Sequence, residues 1–103
     1  MPSLGGGRLR SDFGFINRLN LLILFFEIDR NNTHQMLVKM LLESKSESTK
    51  KRAEKFVIKA NELRKKADKL AARKKYKEAI ATLEASTKEL VRAIRVGGVF
   101  IPG

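Results

Sequence analysis

Apolar positions in the second half of the chain recur in two helical frames that do not join. Ala53, Phe56, Ala60, Leu63, Ala67 and Leu70 alternate steps of three and four, the spacing of a heptad seam, with one edge all alanine. From Tyr76 a second seam runs through Ile80, Leu83, Thr87, Leu90 and Ile94. Extending the first puts Lys74, Lys77, Ala81 and Glu84 on its line, so the frame slips by one residue near Lys74 to Tyr76. A slip of one is neither a stutter nor a stammer, and it predicts a turn. The result is a long antiparallel helical hairpin over about 49–73 and 76–96. Ala79, Ser86 and Ala93 give the second helix its own small edge, so two small edges face each other and allow close approach of the axes. Arg92 and Arg95 followed by Gly97 and Gly98 mark the end of that helix through its dipole and a left-handed stop.

The first half is more apolar and less periodic. Its densest stretch covers residues 13–28, with an uninterrupted apolar run only from Leu21 to Phe26. A membrane span needs about 20 such residues, and Asn17, Arg18, Asn20 and Glu27 fall inside this one. Arg8, Arg10 and Arg18 precede the run as in a signal peptide, but no small-x-small cleavage site follows. The stretch therefore reads as a buried helix over about 15–28, or a strand, with association at a membrane surface as the alternative. Asp29, Arg30, Asn31 and Asn32 form a polar break, after which Thr33 can cap a short amphipathic helix carrying Met36, Leu37, Met40 and Leu41, over about 33–44. The expected fold class is all-α: a small bundle built on the hairpin, with one or two shorter N-terminal helices. Three parts follow, a flexible start (1–12), an apolar segment (13–43) and a basic hairpin with an apolar tail (44–103).

Large side chains surround most of a helix over residues 19–28. Leu19, Leu22, Ile23 and Phe26 lie on one side, and Leu21, Leu24, Phe25 and Ile28 on the other. Leu22, Phe25 and Phe26 are expected to cover the open side of the hairpin. A two-helix hairpin covers only part of this surface, which makes Leu21, Leu24, Phe25 and Ile28 a candidate protein-interaction patch, closed by self-association or a protein partner. A membrane surface is the third way to bury it, although Glu27 and Asp29 would be repelled by an anionic bilayer.

Charge adds a second candidate surface. Of 22 Lys and Arg against 11 Asp and Glu, residues 44–103 hold 17 and seven, a net of +10. Arg52, Lys59, Lys66 and Arg73 recur every seven residues and form one stripe beside the apolar seam. Spaced cations suit the phosphates of a nucleic acid or an anionic membrane surface, while Glu54, Glu62 and Asp68 could neutralise part of the stripe. No aromatic residue falls on the stripe itself, Phe56 belonging to the apolar seam, so base stacking is not expected.

Little catalytic chemistry is available. The chain has no cysteine and one histidine, which excludes thiol catalysis and thiolate metal sites and leaves His34 without metal-binding partners. Gly5, Gly6 and Gly7 are not followed by the Lys-Ser/Thr of a phosphate loop. No cofactor, metal, small-molecule substrate or enzyme activity is indicated, and the expected location is the cytoplasm, with membrane association as the alternative. Asn31, Asn32 and Thr33 match a glycosylation acceptor, a pattern that matters only in a secreted chain. The apolar tail from Val96 to Gly103 is expected to fold back over Leu90 or Ile94, with docking onto a partner groove or an exposed sheet edge as the alternative.

The turn region carries a family resemblance. Ala67, Leu70, then Tyr76-Lys77-Glu78-Ala79-Ile80 and Leu83 resemble one tetratricopeptide-type repeat across residues 61–87. A microtubule-interacting-and-transport-type bundle has similar Tyr-x-x-Ala-Ile spacing. A lysine stands where the turn glycine is usual, Ser86 replaces the second small alanine, and no proline closes the unit. Either resemblance implies protein or peptide binding rather than catalysis.

Overall fold

A computed structural model describes the backbone of residues 2–98 and the side chains of residues 14–98. Of the expected tail, Val96 ends the last helix and residues 99–103 lie outside these, as do the side chains of the expected flexible start. Three helices follow one another, α1 (Pro2–Glu43), α2 (Glu47–Ala72) and α3 (Tyr76–Val96), with no strand among the described residues. The all-α bundle built on an antiparallel hairpin is thus observed. Leu24 clusters with Ala67, Ala79, Ile80 and Leu83, and Val38 with Ala53, Ala60, Leu90, Ala93 and Ile94. Helices α1 and α3 therefore run in the same direction, with α2 opposed to both.

The alanine edges close the hairpin as the spacing predicts. Ala53, Ala60 and Ala67 of α2 are fully buried, as are Ala79, Ser86 and Ala93 of α3. Ser46 caps α2, its Oγ accepting from the Thr49 amide at 3.3 Å. At the other end the Lys74 amide donates to the Ala71 carbonyl and the Lys75 amide to that of Leu70, each at 2.9 Å. This is the Schellman pattern, and it places Lys74 at φ 62°, where glycine is normally preferred. The backbone cost of a side chain there is about 1 kcal/mol. Lys74→Gly is accordingly expected to raise stability by roughly that amount, seen as a higher urea midpoint; an unchanged or lower midpoint refutes the assignment of strain to this turn.

The N-terminal half departs from expectation. Instead of one or two shorter helices separated by a polar break, α1 is a single helix of 42 residues, the longest in the bundle. Thr33 does not cap a helix but sits inside one, its Oγ1 donating to the Asp29 carbonyl at 2.9 Å. Asp, Asn and Thr each cost only about 0.5–0.7 kcal/mol in a helix interior, which tertiary bonds to Asn31 offset. Among the described side chains of α1, Leu24, Asn31 and Val38 are buried, seven apart, with Leu21, Ile28, Gln35 and Leu42 half-buried on the same seam. Met36, Leu37 and Met40, expected as the buried face, are exposed. So are Leu22, Phe25 and Phe26, which do not cover the hairpin.

Between the two apolar clusters lies a layer of polar side chains. Asn31 Nδ2 donates to Ser86 Oγ and Thr87 Oγ1, both at 3.0 Å, and Ser86 Oγ donates to the Ala60 carbonyl at 2.7 Å. Asn31 Oδ1 accepts from Gln35 Nε2 and from Arg64 Nη1, both at 2.9 Å. All four hydrogen-bonding positions of the amide are used, and one fully buried residue ties the three helices together. An asparagine held this way is closed to glycosylation in the folded chain.

Candidate interaction surfaces

Two surfaces remain after the core is accounted for. The first is the outer face of α1. Phe15, Leu19, Leu22 and Phe26, then Met36 and Met40, are all exposed, with Phe26 at 73%. Their spacing alternates four and three once Asp29 and Thr33 are placed between Phe26 and Met36. That is a second heptad seam, on the side of α1 opposite Leu24, Asn31 and Val38. Ile16, Ile23 and Phe25 flank it and are also exposed. Residues 14–19 are exposed on every side, so this end of α1 has no hairpin behind it.

This relocates the patch expected from the sequence. Leu24 is buried, and Leu21 and Ile28 pack against the cluster around Ala67, Ala79 and Leu83; of the four candidates only Phe25 is exposed. The hairpin takes the side with the unbroken seven-residue repeat that continues to Val38 and Leu42. The opposite side, with Leu19, Leu22, Ile23 and Phe26, is left to solvent. Its signal was present in the sequence as a four-three repeat from Phe15, broken by Asp29 and Thr33.

The second surface is the cationic stripe of α2. Arg52, Lys59, Lys66 and Arg73 are all exposed, and a seven-residue step separates successive positions by about 10.5 Å along the helix. None of the four forms an ion pair with a described residue. Asp68, one of the acids expected to neutralise them, binds Arg64 Nε at 3.2 Å. Arg64 lies outside the stripe, on the α1 side of α2, where Nη1 also donates to Asn32 Oδ1 at 2.7 Å. Arg52 borders a shallow groove between α2 and the end of α3, with Lys51, Lys55, Phe56, Arg95 and Val96.

A groove of about 360 Å³ between α1 and α3 is lined by both signs of charge, including Glu27, Arg30, Glu84, Lys88 and Arg92. Glu27 Oε1 lies 4.0 Å from Arg30 Nη1, and its Oε2 is buried without a hydrogen-bond partner. His34 Nδ1 lies 2.8 Å from the Arg30 carbonyl on the helix surface. No group of three potential metal ligands occurs among the described residues, and no described helix is long and apolar enough to cross a membrane. Comparison of the chain with protein-family models, curated proteins and solved structures finds no match.

Proposed function

We propose that the chain is a non-catalytic helical interaction module of the cytoplasm, with the outer face of α1 as its binding surface and an amphipathic helix as the element it binds. The observation that carries this reading is the row of large exposed side chains at Phe15, Leu19, Leu22 and Phe26. Monomeric proteins seldom leave so large a contiguous apolar surface open, and an apolar stripe at four-three spacing fits a second helix better than a loop or a strand. The resemblance of residues 61–87 to a tetratricopeptide-type unit supports the same class of function. Co-purification from the native source with the unaltered chain and with Leu22→Glu tests it. Leu22 is exposed, so the variant should fold and lose its associated proteins; identical recovery of associated proteins would sink the reading.

The four unpaired cations of α2 support a second reading, binding of a polyanion through its backbone. With four phosphate contacts, affinity for duplex DNA should fall by about 100-fold between 50 and 200 mM salt. Changing Arg52, Lys59, Lys66 and Arg73 together to glutamine should flatten that dependence. No measurable binding near 50 mM salt removes this reading.

A further inference from the structure

We infer that the occupant of the outer face of α1 is a second copy of this chain, paired antiparallel across residues 15–26. The inference rests on the reading of that face as a helix-binding surface and names what binds there. An antiparallel heptad pairing sets each a position opposite a d position. In the register centred between Asn20 and Leu21, Phe15 meets Phe26 of the second copy, and Leu19 meets Leu22 of the second copy. The flanking positions match equally well. Ile16 falls beside Ile23 of the second copy, and Arg18 falls beside Phe25 of the second copy, an arrangement suited to a cation over an aromatic ring. The surface is thus complementary to itself under a two-fold axis, which is what a closed dimer requires.

Area and support agree with the pairing. The exposed side chains from Phe15 to Phe26 leave about 700 Å² accessible per copy at roughly 200 Å² for each large apolar side chain, close to the ~800 Å² per partner of a stable interface. Residues 14–19, exposed all round in the single chain, would lie over Leu22 to Phe26 of the second copy, the part of α1 that the hairpin braces from behind. Each copy thereby supplies a rigid bed for the other's unsupported end. A lipid surface fits less well, because Asp29 lies exposed on the same seam as Phe26 and would be repelled by anionic headgroups.

Sedimentation equilibrium of the full chain at 10–100 μM, on the order of the concentration at which weak homodimers form, should give a dimer. Leu22→Glu should shift it to monomer with unchanged helical circular dichroism, whereas Ile58→Glu on α2 should leave the dimer intact. The chain has no cysteine, so the register can be read by oxidation. A Leu19→Cys copy mixed with a Leu22→Cys copy should give predominantly the mixed disulfide dimer; equal linking of all combinations overturns the register. A monomer throughout that range overturns the inference. If that monomer still binds a synthetic amphipathic helix through Leu22, the interaction reading survives alone. If instead it binds only vesicles of phosphatidylcholine and phosphatidylserine, both fall.

Discussion

Leucine at position 60 is expected to lower the stability of the bundle by about 3 kcal/mol, a large share of the ~5–15 kcal/mol typical of a domain. Ala60 has no accessible surface and packs within the cluster of Val38, Leu90 and Ala93. Its carbonyl accepts the Ser86 hydroxyl at 2.7 Å, which holds the backbones of α2 and α3 close together. Three further carbon atoms fit only if α2 moves away from α3. That movement breaks the Ser86 bond and loosens the contacts at Ala53 and Ala67 along the same edge. Urea unfolding followed by circular dichroism measures the effect, with Ile58→Leu, on the exposed side of α2, as the neutral comparison. Equal midpoints for the two variants would show that the alanine edge is not the closest approach in the fold.

Removal of the Asn31 amide should have an effect of similar size. Asn31→Ala strips the Arg64 guanidinium and Gln35 of an acceptor, and leaves the Ser86 and Thr87 hydroxyls short of a donor. Each buried group left unsatisfied costs about 1–3 kcal/mol, so a total near 3 kcal/mol is expected after partial relaxation. The informative partner is the triple change Asn31→Leu, Ser86→Ala, Thr87→Val. Because it removes both ends of the network, its stability should lie close to that of the unaltered chain or above it. A polar layer of this kind fixes helix alignment, so the triple variant should also show broadened amide resonances from α1 sampling neighbouring positions on α3. Equal losses for single and triple variants would mean that the polar layer does not act as a connected unit.

The hairpin was legible because each helix carries a large edge and a small edge, and because the two frames differ by one residue. The slip located the turn without glycine or proline; the left-handed residue it required proved to be Lys74. The continuity of α1 was not legible. Asp29, Asn31 and Asn32 resemble a loop in a linear reading, and only the positions of Ser86, Thr87 and Arg64 across the fold turn Asn31 into a buried ligand of three helices. The repeat of Leu24, Asn31 and Val38 at seven-residue steps is the available signal, masked because an asparagine beside Asp29 and Asn32 has the composition of a loop. The same ambiguity misplaced the interaction patch. With apolar residues on both sides of α1, composition cannot choose which side meets the hairpin; the continuation of one seam through Val38 and Leu42 decides it.

The pairing of α1 with α3 joins residues 55 apart in the chain, as between Asn31 and Ser86, and this has a consequence for biosynthesis. The ribosome releases α1 first, yet the helix that covers its inner seam comes last. At about 5–20 residues per second, several seconds separate the emergence of Glu43 from that of Val96. During this interval both apolar faces of α1 are open, including the one that the finished bundle seals. On a polysome, neighbouring nascent chains carry the same uncovered segment at high local concentration. The period of greatest exposure therefore precedes folding, and α1 is the part of the chain that most needs shielding as it is made.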